Sequence, residues 1–398
     1  MGLIPLGERP APSQPPRGFA PFALGFRPFF SLAALSGLIL MLLWLGLWQM
    51  ATPVHYYGNI GWHSHEMLFG FVSAIIAGFL LTAVRNWTGI DTLTHTPLAM
   101  LALLWVLARI APFVPSMPAI VIALLDLSFL PLLAVALYRP LIEAENRINR
   151  IFLPLLAVMS LANLLVHLES LGMTQTGRQG INLMISLVAL LMVMVSGRVL
   201  PFFTEKAVNG SQPRFSTRRE RLGFISIGLW ITFELFLPIP WLMALAALGI
   251  VVSQTWRLWD WHHPHVWRIP ILWVLYTGLI WLVIGYLLKS LAVFGLFPDN
   301  LATHALTSGA IGILTFGMMA RVSLGHTGRE ITPPRLISLS FVLLNLAVLA
   351  RVFGPVLYSE GYTHWIMLSG TGWAFCYLLF VVFYIKLLNT PRIDGRKG

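Results

Sequence analysis

Long apolar runs recur along this chain without any period-two alternation of polar residues. In the first half they lie near 28–50, 64–84, 97–113, 117–138, 149–171 and 180–203. Six more follow near 220–238, 240–259, 269–293, 301–321, 334–354 and 363–388. A helix needs about 20 mostly apolar residues to cross the hydrocarbon layer, and only helices or closed barrels satisfy their own backbone groups in lipid. The pattern therefore predicts an all-α, polytopic bundle of about twelve transmembrane helices. Pro112, Pro238 and Pro240 bound or interrupt the third, seventh and eighth runs, which blurs their ends. An even number of spans puts both termini on one side.

Lys and Arg orient the bundle, because cytoplasmic loops collect them. With the termini inside, the outside holds only Arg109, Arg178, Lys289 and Arg351 of the 26 basic residues, and Arg198 falls within the sixth span. We therefore expect both termini in the cytoplasm. Composition agrees: 57% of residues are hydrophobic and 10% charged, with a mean hydropathy of +0.79. The net charge of +11 follows from this topology and from anionic lipid, so no nucleic-acid partner is called for. Residues 1–25, rich in Pro, are expected to form a flexible cytoplasmic tail, 26–390 one transmembrane domain, and 391–398 a second short tail. No removable signal peptide is expected. The single cysteine, Cys376, excludes an internal disulfide.

Six of the eleven histidines then fall on the outer side: His55, His63, His65, His167, His304 and His364. An ionisable ring at membrane depth is costly and marks a functional site by default. Imidazoles gathered at one level suggest a bound haem or metal, since haem iron accepts axial His or Met and imidazole also suits copper. His63 and His65 are two positions apart, about 200° around a helix, so they cannot share one face and need different partners. Glu66 could orient a neighbouring ring. Taken singly, each of these rings could be an inert member of an interfacial aromatic belt, as His262, His263 and His265 among Trp256, Trp259, Trp261 and Trp267 are expected to be.

Small residues recur at Gly70, Ala74 and Gly78 below His65, and at Ser308 and Gly312 below His304. Such a stripe admits a close helix or a flat macrocycle. Arg109 and Arg351 lie outside against the general bias, and a buried Arg asks for an anion, such as a haem propionate, Glu66 or Glu169. Asp126, nearest mid-membrane, is expected to pair across helices, with Asn163 as one partner. At the cytoplasmic side Arg198, Glu205, Arg321 and Arg329 around His326 are expected to form an ion-pair network.

Several stretches resemble a known family. Gly25-Phe26-Arg27-Pro28-Phe29-Phe30, Trp62-His63-Ser64-His65-Glu66-Met67-Leu68-Phe69-Gly70 and Gly78-Phe79-Leu80-Leu81-Thr82-Ala83-Val84 are similar to motifs of the NnrS family of bacterial membrane proteins. So are Asn86-Trp87-Thr88-Gly89, Gly197-Arg198-Val199-Leu200-Pro201-Phe202-Phe203-Thr204-Glu205 and Met318-Met319-Ala320-Arg321-Val322-Ser323-Leu324-Gly325-His326-Thr327-Gly328-Arg329. The resemblance covers nearly the whole chain and departs at Arg85, where family members often carry Pro. It implies a twelve-span protein with haem and copper that relieves nitrosative stress. A more distant similarity to the core subunit of haem-copper oxidases rests on histidines in the second and tenth spans. It fails at the seventh, which has no histidine pair.

Together these readings lead us to expect at least one haem b near the outer face, with His65 and His304 as the preferred axial pair. His63, His167, His364 and His55 are the further candidates for copper or a second haem, and Arg109 and Arg351 are candidate propionate partners. The expected function is binding or redox conversion of nitric oxide or its iron adducts, with quinol as a candidate electron donor. A non-catalytic haem or copper sensor would use the same ligands. A transporter would show two related halves, and no internal repeat is evident.

Overall fold

A computed structural model describes residues 18–49 and 56–395, which are helical with no strand among them. The first six helices are α1 (Phe26–Gln49), α2 (Asn59–Thr88), α3 (His95–Phe113), α4 (Ala119–Glu143), α5 (Arg147–Ser170) and α6 (Gly177–Ala207). The second six are α7 (Thr217–Phe236), α8 (Pro240–Trp261), α9 (Pro270–Ala292), α10 (Asp299–His326), α11 (Arg335–Leu357) and α12 (Ser359–Asn389). These are the twelve spans expected from the hydropathy pattern. Among the described residues, eleven are long and apolar enough to cross a membrane. The exception is α7, whose opening Arg218, Arg219, Glu220 and Arg221 lower its hydropathy. Pro240 marks the start of α8 and breaks nothing, because proline at a first helical position lacks only an amide that would be unpaired anyway.

Two ends of the bundle differ in chemistry. One gathers His63, His65, His167 and His304, from the start of α2, the end of α5 and the start of α10. We call it the histidine end. The opposite, arginine end holds the start of α1, where buried Arg27 donates to the carbonyls of Leu388 (3.0 Å) and Thr390 (2.5 Å) past the last turns of α12. Residues 18–25, expected within the tail, are pinned there too. Ala20 N donates to Asn389 O at 2.9 Å, and His95 N to Phe22 O at 2.7 Å. The two termini of the bundle thus meet at one end, as an even helix count requires. His262 and His263 lie at this end, where Trp267 Nε1 donates to His262 Nε2 at 3.0 Å.

Helices in lipid gain little from hydrophobic association and pack through close backbone approach at small residues. The α2 stripe serves that purpose. A β-carbon at Gly78 would stand 2.9 Å from the Phe30 ring of α1, and one at Gly70 would stand 2.8 Å from Arg109 Nη1 of α3. At Gly180 a β-carbon would lie 2.4 Å from the Ala162 carbonyl oxygen. That atom belongs to helix backbone, so Gly180→Val has to part α6 from α5. We expect it to lower stability by about 1–3 kcal/mol. Gly46→Val, with no neighbour within 4 Å, should leave the thermal midpoint of the purified protein unchanged.

Two π-helical stretches shape the centre. One, Glu66–Val72, follows His65 in α2, and the other, Ala305–Gly312, follows His304 in α10. A π turn bonds i to i+5, is wider than an α turn, and is frequent at functional sites. Here both occur one turn below a histidine, on the two helices that border the main cavity.

Candidate functional site

Two histidine sites lie side by side at the same end, and α2 contributes to both. In the first, His65, Glu66, Asp126, Asn163 and His167 are all buried. Asp126 is its hub. The Oδ1 oxygen pairs with Arg109 Nη2. The Oδ2 oxygen lies 2.7 Å from Asn163 Nδ2, 2.9 Å from His167 Nε2 and 3.1 Å from His65 Nε2. Arg109 Nη1 donates to both Glu66 oxygens at 2.9 Å, in the space that Gly70 leaves open. A planar guanidinium forked between two carboxylates suits burial better than a Lys would.

The ring of His65 meets three acceptors and one hydroxyl, Tyr57 Oη, which lies 3.3 Å from Nε2. Its Nδ1 lies 3.2 Å from Glu66 Oε1, and its Nε2 faces both Asp126 Oδ2 and Asn163 Oδ1, each at 3.1 Å. With its proton on Nδ1 toward Glu66, a neutral ring can accept the Tyr57 hydroxyl at Nε2, and a cation held among these groups would also satisfy Asp126 Oδ2 and Asn163 Oδ1. His167 is fixed differently. Burial pushes the Tyr56 phenol up to about 12, so Tyr56 stays protonated and donates to His167 Nδ1 at 2.9 Å. His167 Nε2 then carries the hydrogen that reaches Asp126. The ligand atoms of His65, Asp126 and His167 lie within 4.8 Å of one another, the only such trio among the described residues.

The second site is a cavity between α2 and α10, built where the two π stretches face each other. One lobe, of about 130 Å³, is lined by Met67, Leu68 and Phe71 from α2 and by Thr307, Ser308 and Ile311 from α10. A smaller lobe, of about 50 Å³, continues toward Trp44, Ala347 and Arg351. Met41, His63, His304, Ser308 and Trp373 border both lobes. The His63 ring stacks on Trp44 with centroids 4.2 Å apart and 16° between planes. Neither of its nitrogens has a hydrogen-bond partner among the described residues. His304 Nδ1 donates to the Asn300 carbonyl at 2.7 Å, which assigns its lone pair to Nε2. Arg351 Nη2 is 3.3 Å from that Nε2 and 3.4 Å from the Tyr362 hydroxyl. Arg351 Nη1 is buried without a partner.

The NnrS protein profile matches residues 20–392. The chain belongs to the NnrS family. Membership places it among membrane proteins of the nitric oxide response. No curated protein matches the chain.

In this NnrS family member the residues singled out in the sequence divide between the two sites. His304 is brought together with His63, and His65 with His167, so the preferred pairing of His65 with His304 gives way to a different grouping. The reason is the 200° between the two α2 rings together with the filled coordination of His65 by Glu66, Asp126 and Asn163. His364 is exposed near the start of α12 and joins neither site. His55 lies outside the described residues. Arg109 finds Glu66 and Asp126 as its anions, whereas Arg351 has no carboxylate among the described residues. Asp126 pairs with Asn163, as its position suggested.

The network expected around His326 is not formed among the described residues. Arg198 Nη1 donates to Asn149 Oδ1 at 2.6 Å, the Arg321 guanidinium sits 3.7 Å over the Phe203 ring, and Glu205 is exposed. Aromatic faces and a side-chain amide take the place of carboxylates at Arg198 and Arg321, while beside His326 an unexpected pair forms, Arg392 donating to the His326 carbonyl at 2.9 Å and to Asp394 at 2.6 Å. Sequence reasoning also missed Trp44, Trp373 and Tyr56. Trp44, near the end of α1, is indistinguishable by pattern from a belt residue, Trp373 lies mid-way along α12 in an apolar run, and only the neighbouring helices show which way these rings face.

Proposed function

We propose that the protein holds a b-type haem in the cavity between α2 and α10 and there binds or redox-converts nitric oxide, relieving nitrosative stress. The observation that carries this reading is a pair of histidines on one apolar cavity. One has its Nδ1–H anchored on a backbone carbonyl, as ligating imidazoles usually do, and the other makes no hydrogen bond among the described residues. The walls are apolar with a few polar groups, the usual make-up of a cofactor site, and α2 and α10 would have to part further than they do here to admit a macrocycle. His63 and His304 would hold the iron through their ring nitrogens, with Arg351 Nη2 giving up its contact to His304 Nε2. The unpartnered Nη1 of Arg351, at the far edge of the smaller lobe, would meet a propionate. Bound haem supplies one-electron chemistry and an iron with affinity for nitric oxide. The chain supplies a largely water-free slot, a fixed tautomer at His304 and a counter-cation.

The buried trio of His65, Asp126 and His167 is our proposed copper site. Two imidazoles and a carboxylate suit that metal, and with Glu66 and Asp126 set against Arg109 alone the cluster has room for one more positive charge. The Lys and Arg asymmetry supports an inner-membrane location with the histidine end outside.

Nitric oxide titration of the reduced, purified protein tests the reading. The Soret band is expected to shift and to saturate near one equivalent per haem. A preparation rich in folded protein but without a Soret band overturns it. Sustained nitric oxide consumption with a quinol would mark an enzyme, and saturable binding alone would mark a sensor.

A further inference from the structure

A groove of about 470 Å³ opens at the arginine end between α5, α6 and α7. Its walls are apolar: Ile148 and Ile151 of α5, Leu190 and Met194 of α6, and Phe215 and Phe224 before and within α7. Ile148, Ile151, Phe215 and Phe224 are exposed, so the groove opens on the surrounding bilayer.

Its polar edge carries Glu220, Arg257 and Arg198. The first two are spoken for. Glu220 pairs with both Arg219 and Arg257, and Arg257 also donates to the Val193 carbonyl at 2.7 Å. Arg198 is different. Its contacts are Asn149 and the faces of Trp87 and Phe152, at 5.6 and 5.9 Å, with no carboxylate among the described residues. Beside the groove in sequence, Arg147 adjoins Ile148, Arg214 adjoins Phe215, and Arg218 and Arg221 flank the turn that holds Glu220. All four are exposed, and none is ion-paired among the described residues.

A free anion would need the arginines and no apolar groove, and a neutral lipid would need the groove and no arginines. We propose that this groove is a binding site for an anionic phospholipid, its phosphate on Arg198 and the arginine rim and an acyl chain along Leu190 and Met194. Basic pockets between helices at the cytoplasmic side are a known way to hold such headgroups. The site is independent of the haem reading and survives its failure.

Native mass spectrometry of the full chain, offered equal phosphatidylglycerol and phosphatidylcholine, tests it. The wild type should retain phosphatidylglycerol preferentially. Arg198→Gln should lower the ratio of the two lipids about fivefold. Arg214→Gln with Arg218→Gln, both on exposed side chains that the fold does not need, should lower it further. Met194→Trp, which fills the groove, should reduce retention of phosphatidylglycerol. Equal retention of the two lipids by the wild type, or an unchanged ratio in the Arg214/Arg218 double variant, overturns the proposal. So does full displacement of the lipid by millimolar inorganic phosphate, which would mark a bare anion site.

Discussion

Replacing His304 with alanine is expected to strip the purified protein of its haem, at least tenfold by pyridine haemochrome assay, and His63→Ala should do the same. His65→Ala should retain the Soret band. Loss of an axial imidazole removes a coordinate bond and leaves a cavity that water enters, whereas His65 points away from this cavity into the Asp126 cluster. Arg351→Gln should weaken haem retention less, by about fivefold, because one hydrogen bond is at stake and not the iron. Comparing the thermal midpoints of haem-free wild type and variants separates loss of ligand from loss of fold. A reversed result, with His65→Ala colourless and His63→Ala fully loaded, would transfer the haem to the other site.

How much of this could be read from residues alone follows from what each feature depends on. The helices were legible because apolar runs of about 20 residues have one structural solution in lipid. Even α7 was legible, since its charges sit in one turn and leave the remaining run intact. The separation of His63 from His65 was also legible, being a property of helical rotation. Which ring enters which site was not. It depends on how α2 is turned about its axis, and that is fixed by Phe29 and Phe30 against Gly78 and by Arg109 against Gly70. The π stretches widen α2 and α10 where the cavity forms, yet small and apolar residues such as Ala305, Gly309 and Ala310 give no periodic sign of them. Arg321 marks a further limit. A cation was expected to find a carboxylate, and it found the face of Phe203.

Asp126→Asn is expected to be the most damaging single change outside the cavity, at about 3–5 kcal/mol, because it breaks a buried ion pair on one side only. An amide has one oxygen and one NH₂ group, whereas Asp126 accepts through both oxygens, from Arg109 on one and from Asn163, His167 and His65 on the other. Whichever way the amide turns, donors meet donors in a site from which water is excluded, and the unmet groups carry their full desolvation cost. The variant should also lose copper relative to wild type by metal analysis. Arg109→Met should be comparably harmful, since it leaves Glu66 and Asp126 facing each other without their shared cation. Combined, the two changes should cost less than the sum of the singles by about 1–3 kcal/mol, because residues of one buried network do not add. Denaturation midpoints of the four proteins close this cycle. Strict additivity would mean that Arg109 and Asp126 act separately, and the single hub drawn here around Asp126 would then have to be abandoned.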